Sequence, residues 1–260
     1  MIPNFDILGR TFSAYQLASL VGILVMIYFG YRTADRRGMD PIAVLNMTLL
    51  GFIGMYVGGK LLYGLTNLSY LQEGLAEATS FKARFVVLVK GFGGMVFYGG
   101  LLGAMAVYAF CVRRKRLSVE YIDLGILLVP LFHFFGRIGC FLGGCCYGIE
   151  CKFGITYHHS DIPQANGVPR LPVQLLEAAF NLVLFFVLYG FFRKKKHSSW
   201  LLSIYLYAYP IFRFVIEFFR GDAHRGIYGG LSTSQWVSLA LLLVNTVVVL
   251  RRICLQKTSR

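Results

Sequence analysis

Apolar residues run in stretches far longer than a soluble core requires, and the polar positions gather between them. A helix needs about 20 apolar residues to cross a hydrocarbon core of roughly 30 Å. Seven stretches meet or approach that length: Tyr15–Tyr31, Pro41–Gly59, Phe85–Val112, Tyr121–Phe135, Val173–Phe192, Trp200–Phe219 and Ser234–Leu250. Heptads and internal repeats are absent. The pattern predicts an all-α polytopic membrane protein with about seven transmembrane helices, forming a single integral membrane domain over residues 1–260. The third stretch is long and carries Lys90 with Gly91, Gly93, Gly94, Gly99, Gly100 and Gly103, which reads as a full span preceded by a half-embedded loop. The fourth is short. Two larger connections remain, about 61–84 and 137–172. In the first, Leu61, Leu62, Tyr63, Leu65, Leu68 and Leu71 precede Glu73 and Glu77, which fits an amphipathic interfacial piece and a plain connecting loop equally.

Composition narrows the class. Of 260 residues, 57% are hydrophobic and 15% charged, against roughly 25% charged in a soluble domain. A disordered chain, a nucleic-acid-binding domain and a small secreted disulfide scaffold are excluded. The net charge of +14 would suggest a nucleic-acid partner in a soluble chain, but here it resides in short connections. Arg32, Arg36 and Arg37, then Arg113 to Arg116, then Arg193 to Lys196, then Arg251, Arg252, Lys257 and Arg260 make up more than half of the 26 Lys and Arg. They alternate with the spans, so the positive-inside rule predicts the N-terminus out and the C-terminus in, with segments 61–84 and 137–172 on the outer side. No signal peptide is expected, because the first apolar run lacks a small-residue cleavage site after it.

Charged side chains within apolar runs mark candidate chemistry, since each costs about 2.5–3.5 kcal/mol at mid-bilayer. Arg213 and Glu217 lie four apart inside the sixth stretch, hence on one helix face, with Tyr209 a turn earlier. Lys90 sits among the glycines, and Arg137 follows His133-Phe134-Phe135. Arginine binds phosphate bidentately and stays charged in a low-dielectric site, so the set suits an anionic lipid headgroup. Simpler readings stand beside this one: Arg213 and Glu217 as a self-neutralising pair, Tyr209 as an interfacial anchor, and Gly93-Gly94 and Gly99-Gly100 as helix-packing devices.

These residues carry a resemblance. Gly136-Arg137-Ile138-Gly139-Cys140-Phe141, ending in Gly148, resembles the signature of the prolipoprotein diacylglyceryl transferase family, Gly-Arg-x-Gly-Asn-Phe, then Asn-x-Glu, then Gly. Gly93 to Gly103 looks like its Gly-Gly-Met-x-Phe-His-Gly-Gly segment. Tyr209, Arg213, Glu217 and Arg220 match its Tyr-x-x-x-Arg-x-x-x-Glu-x-x-Arg helix, and Pro172-Val173-Gln174-Leu175-Leu176-Glu177 its Pro-x-Gln-Leu-Tyr-Glu stretch. Tyr15 falls where the family has an early essential tyrosine. The resemblance covers nearly the whole chain. It implies a multi-pass protein of the bacterial plasma (inner) membrane, with its active site towards the outer leaflet. The implied reaction moves diacylglyceryl from phosphatidylglycerol to the lipobox cysteine at the signal peptide of a prolipoprotein and releases glycerol 1-phosphate. The partners are then those two substrates and membrane lipids, with no nucleic acid, cofactor or metal. The implied catalytic residues are Arg137, Tyr98, Arg213 and Glu217. Tyr15, Gly99, Gly100, Gly139, Cys140, Gly148, Tyr209 and Arg220 would bind substrate.

The chain departs from the family at several polar positions. Its histidine is Tyr98 here, the signature asparagines are Cys140 and Gly143, and the glutamate is Cys145. Tyrosine, with a pKa of about 10, is a poor base at neutral pH unless cations lower it. Four of the six cysteines crowd into Cys140, Cys145, Cys146 and Cys151. They can pair in three ways or remain small buried hydrophobes. Cys-x4-Cys-Cys-x4-Cys is no usual finger spacing for zinc, although His133, His158 and His159 are near. Two further functions fit parts of the pattern: a related lipid-headgroup transferase with another acceptor, and a membrane thiol oxidoreductase using this cluster. A transporter for an anionic solute would require paired broken helices, and the glycine-rich break occurs once.

Overall fold

Long apolar stretches become long helices because every backbone polar group in lipid must be satisfied within its own segment. A computed structural model describes residues 3–7, 9–194, 200–222 and 227–258. Lys195, Lys196, Arg225 and Arg260, and the side chains of Arg10, Tyr98 and Lys257, lie outside the described residues. Among the described residues, six helices are long and apolar enough to cross a membrane: Ala14–Arg36, Pro41–Thr66, Val119–Gly143, Val173–Arg193, Leu201–Phe219 and Thr233–Gln256.

The chain divides into two compact units, Met1–Tyr28 with Asp123–Arg260, and Phe29–Ile122. The second unit contains α2 (Pro41–Thr66), α3 (Leu68–Glu77), α4 (Phe81–Gly91) and α5 (Phe97–Lys115). The Asp40 side chain caps α2, accepting from the Ile42 N–H at 2.9 Å, with Pro41 at the first helical position. Glycine lets α2 and α5 touch backbone to backbone. A Cβ on Gly58 would collide with the Gly99 carbonyl, and one on Gly103 with the Gly54 carbonyl, so Gly54-x3-Gly58 faces Gly99-x3-Gly103 as small residues do where membrane helices approach closely.

The Phe85–Val112 stretch, read as a full span preceded by a half-embedded loop, holds two helices, α4 and α5, and the break between them has a physical cause. Phe92 to Val96 leave the helical path at Gly93-Gly94, and α2 satisfies the break: the Val96 N–H donates to the Gly59 carbonyl at 3.1 Å and Lys60 Nζ to the Gly93 carbonyl at 2.7 Å. Lys90 therefore lies exposed in the last turn of α4, where a cation favours the helix dipole. The 61–84 segment resolves to the amphipathic alternative. It holds the end of α2, then α3, then the start of α4, and Leu71 and Val87 pack on Gly91 and Gly74.

The first unit opens with a hairpin of β1 (Asn4–Ile7) and β2 (Arg10–Ser13), which sequence reading did not anticipate, and leads into α1 (Ala14–Arg36). Helix α6 (Val119–Gly143) runs well past the expected end at Phe135, so Arg137, Gly139 and Cys140 are helical. Between α6 and α7 (Val173–Arg193) lies a small folded cap. Its strands β3 (Glu150–Thr156) and β4 (Pro169–Arg170) pair antiparallel, and Tyr147, Tyr157 and Ala165 form its core. Burial raises the Tyr157 hydroxyl above the ordinary tyrosine pKa, and it donates to Gln174 Oε1 at 3.2 Å. The Arg170 guanidinium stacks 4.5 Å over the Tyr147 ring. Helix α8 (Leu201–Ile216), a 3-10 turn at Glu217–Phe219, a short hairpin of β5 (Ile227–Tyr228) and β6 (Leu231–Ser232), and α9 (Thr233–Thr258) complete the unit.

Candidate active site

Helical periodicity puts His133, Arg137 and Cys140 on one face of α6, Gln174 and Glu177 on one face of α7, and Tyr205, Tyr209 and Arg213 on one face of α8. The three faces converge on the Glu177 carboxylate, whose side chain is 2% exposed. Its Oε1 lies 2.9 Å from Arg137 Nη2, accepts from the Tyr209 hydroxyl at 3.1 Å and lies 3.8 Å from His133 Nε2. Its Oε2 lies 3.9 Å from Arg213 Nη1. Arg213 Nη2 pairs with Glu217 Oε2 at 2.6 Å, the i to i+4 partner expected from sequence, and donates to Ser234 Oγ at 3.3 Å. Tyr205 stacks on Tyr209 at 5.7 Å, and the His133 ring lies 5.2 Å from Tyr209.

Two guanidiniums and two carboxylates balance in charge but not in hydrogen bonds. Arg137 Nε and Arg213 Nη1 are buried and make no hydrogen bond. Buried donors of this kind call for an acceptor. Two planar forks from separate helices, held by one carboxylate, form a set of donors suited to a tetrahedral oxyanion such as a phosphoester.

The remaining expected residues fall around this centre or in the second unit. A Cβ on Gly139 would come 3.0 Å from the Tyr15 ring, so glycine there lets Tyr15 rest against α6, within electrostatic reach of Arg137, Cys140 and Cys145. Gly148 bridges to Arg220 in an antiparallel pairing, and a Cβ there would strike the Leu171 carbonyl. Arg220 forks onto Asp222 at 2.8 and 2.5 Å. Gly99 and Gly100 lie at the start of α5, Gly99 against Gly58 and Gly100 against Met55. The side chain of Tyr98 lies outside the described residues.

Beside Arg137, the thiols of Cys140, Cys145 and Cys146 all lie within 4.8 Å of one another. All six cysteines are free. Hydrogen bonds with Cys140 and Cys145 lower the Cys146 thiol pKa from its ordinary range, and the Arg220 and Arg137 guanidiniums add to the effect. The Cys145 thiol is raised by its bonds to Cys140 and Cys146.

Sequence reasoning met Glu177 only as the last residue of the Pro172–Glu177 resemblance and gave it no role in the site. Glu177 is a carboxylate inside the apolar Val173–Phe192 stretch, and that cost in lipid was the available signal. His133 and Ser234 had no comparable mark.

Residues 4–251 match the family described as prolipoprotein diacylglyceryl transferase. A protein of Clostridium tetani is 32% identical over 94% of this chain and 94% of its own length. One of Geobacter sulfurreducens is 32% identical over 96% of each, and one of Idiomarina loihiensis 30% identical over 91% and 87%. All three are named phosphatidylglycerol–prolipoprotein diacylglyceryl transferase.

Proposed function

The chain belongs to the prolipoprotein diacylglyceryl transferase family, and from that premise we propose that it moves the diacylglyceryl group of phosphatidylglycerol to the lipobox cysteine at a prolipoprotein signal peptide. The acceptor sulfur attacks the glyceryl carbon, and a carbon–sulfur bond forms. The carbon–oxygen bond to phosphate breaks, its electron pair leaves on the phosphate oxygen as glycerol 1-phosphate, and the thiol proton passes to solvent. The observation that carries this reading is the meeting of Arg137 and Arg213 on Glu177, with a buried donor left over on each guanidinium. Those donors stabilise the charge that develops on the leaving phosphate. Glu177 and Glu217 are positioning residues that hold the two forks in register. Tyr209 and Tyr15 bind the headgroup region, and Arg220 with Gly148 and Gly139 supports its edge. By the family resemblance, Gly99 and Gly100 contact lipid and the Tyr98 hydroxyl relays the thiol proton on its way to solvent. The work takes place in the bacterial inner membrane, N-terminus out and C-terminus in, with the site facing the outer leaflet.

The test is incubation of the purified full chain with labelled phosphatidylglycerol and a lipobox peptide. Thioether-linked lipid that disappears in Arg137→Ala and in Arg213→Ala is the expected result. Lipid release that labels no peptide thiol would shift the acceptor to another class, and full activity in both variants would overturn the site.

A further inference from the structure

Apart from Cys140, to which the family resemblance gives a substrate contact, the cysteines are the part of the first unit that the transferase reading leaves without a task. Their meeting has a local cause. Helix α6 ends in a Schellman motif: the Gly144 N–H donates to the Phe141 carbonyl at 3.2 Å and the Cys145 N–H to the Cys140 carbonyl at 3.1 Å, with Gly144 at φ +71°. That motif brings the residue after the left-handed one back over the last turn of the helix, so Cys145 returns to Cys140. Cys146 then sits at φ 58°, a region that costs a residue other than glycine about 1–3 kcal/mol. The strain is held by neighbours: Gln174 Nε2 donates to the Cys145 carbonyl at 2.7 Å, and the Gly221 N–H to the Tyr147 carbonyl at 2.9 Å. The turn closes three thiols into one cluster despite a spacing that no zinc finger uses.

We propose that Cys140, Cys145 and Cys146 form a three-thiolate site for a borderline-soft divalent cation of the zinc class, whose fourth position receives the acceptor thiol. Tetrahedral zinc with Zn–S near 2.3 Å sets its sulfurs about 3.8 Å apart, and these three lie within 4.8 Å, a gap that small side-chain rotations close. Among the described residues no further Cys, His, Asp or Glu joins the group. Three protein ligands with one position left to an outside ligand is the arrangement of catalytic rather than structural zinc. Three thiolates and one divalent cation carry a net charge of −1, and −2 with the acceptor thiolate bound; the Arg137 and Arg220 guanidiniums, each also paired with a carboxylate, lie within electrostatic reach of the cluster. The role of the ion rests on the transferase reading. A thiol that binds such a cation loses its proton outright, here to solvent, and the resulting sulfur is the nucleophile that forms the carbon–sulfur bond as the phosphate leaves. The cation thereby supplies thiolate in a chain whose position 98 is tyrosine.

The test uses the full chain in detergent with a phosphine reductant, titrated with Co2+. The expected result is a thiolate-to-cobalt charge-transfer band that saturates at one ion per chain and is displaced by Zn2+. Cys145→Ser and Cys146→Gly abolish it and Cys151→Ser does not. Cys146→Gly relieves the left-handed strain, so its thermal midpoint holds or rises and misfolding does not explain its lost band. Chelation lowers peptide lipidation about 100-fold, and Zn2+ restores it. No band, a band that survives in both cluster variants, or a disulfide between two of the three thiols in fully active protein would overturn the site. Lipidation indifferent to chelation would overturn the role of the ion. Stoichiometric Co2+ binding in a protein that transfers no lipid would instead sink the transferase reading and leave the metal site standing.

Discussion

Arg137 Nη2 lies 2.9 Å from Glu177 Oε1, tying α6 to α7 through a carboxylate almost wholly removed from solvent. Removing one partner of a buried pair leaves an uncompensated charge and costs about 3–5 kcal/mol. Here the same carboxylate also faces Arg213, so Glu177→Ala strands Arg137 and leaves Arg213 with Glu217 as its only carboxylate among the described residues. We expect Glu177→Ala to lower the thermal midpoint strongly. Glu177→Gln, which keeps an acceptor for the Tyr209 hydroxyl, should lower it less. Because Glu177 positions rather than reacts, the Gln variant should lose kcat with little change in KM for phosphatidylglycerol.

Arginine and lysine separate charge from geometry at the proposed phosphate donors. Lysine keeps the charge of Arg137 or Arg213 but loses the planar fork. Loss of one donor to a developing oxyanion costs about 100- to 1000-fold in kcat. Arg137→Lys and Arg213→Lys are therefore expected to fold, by thermal midpoint, and to transfer lipid in that range below the parent. Wild-type turnover in either would remove that residue from the phosphate site.

Much of this architecture was legible in the chain because lipid punishes exceptions. Apolar length marked all six of the described helices long enough to span, and the i to i+4 spacing of Arg213 and Glu217 foretold a contact found at 2.6 Å. The signals that failed were tertiary. Nothing local says that the helix carrying Arg137 continues to Gly143, because the glycines and cysteines after Phe135 read equally as loop. Glu177 is recognisable as costly in an apolar run, but its partners come from two other helices. Cysteine spacing argued against a metal, whereas the Schellman turn brings the thiols together by a route that finger spacings do not describe.

In the second unit, helix contact depends on missing side chains. A Cβ on Gly54 would lie 2.7 Å from the Gly103 carbonyl oxygen, a backbone atom that cannot swing aside. Gly54→Val adds two methyl groups beyond that Cβ and must push α2 from α5. Overpacking of this kind costs about 1–3 kcal/mol. Thermal unfolding in detergent should show a lowered midpoint, whereas Gly38→Ala, at a position where a Cβ meets nothing within 4 Å but φ is +67°, should show only the smaller penalty of its backbone conformation.

The cap reports on the cysteine turn through one glutamine. Gln174 accepts from the Tyr157 hydroxyl at 3.2 Å and donates to the Cys145 carbonyl at 2.7 Å. Tyr157 is fully buried, so Tyr157→Phe leaves Gln174 Oε1 without its partner at a cost of about 1–3 kcal/mol. The amide is then free to turn towards another donor, and the hold on Cys145 weakens. Two outcomes follow together: a lower thermal midpoint, and faster maleimide labelling of Cys145 with labelling of Cys254 unchanged, since Cys254 is exposed near the far end of α9. Labelling of Cys145 at the parent rate would mean that the Schellman turn holds the thiol without help from the cap.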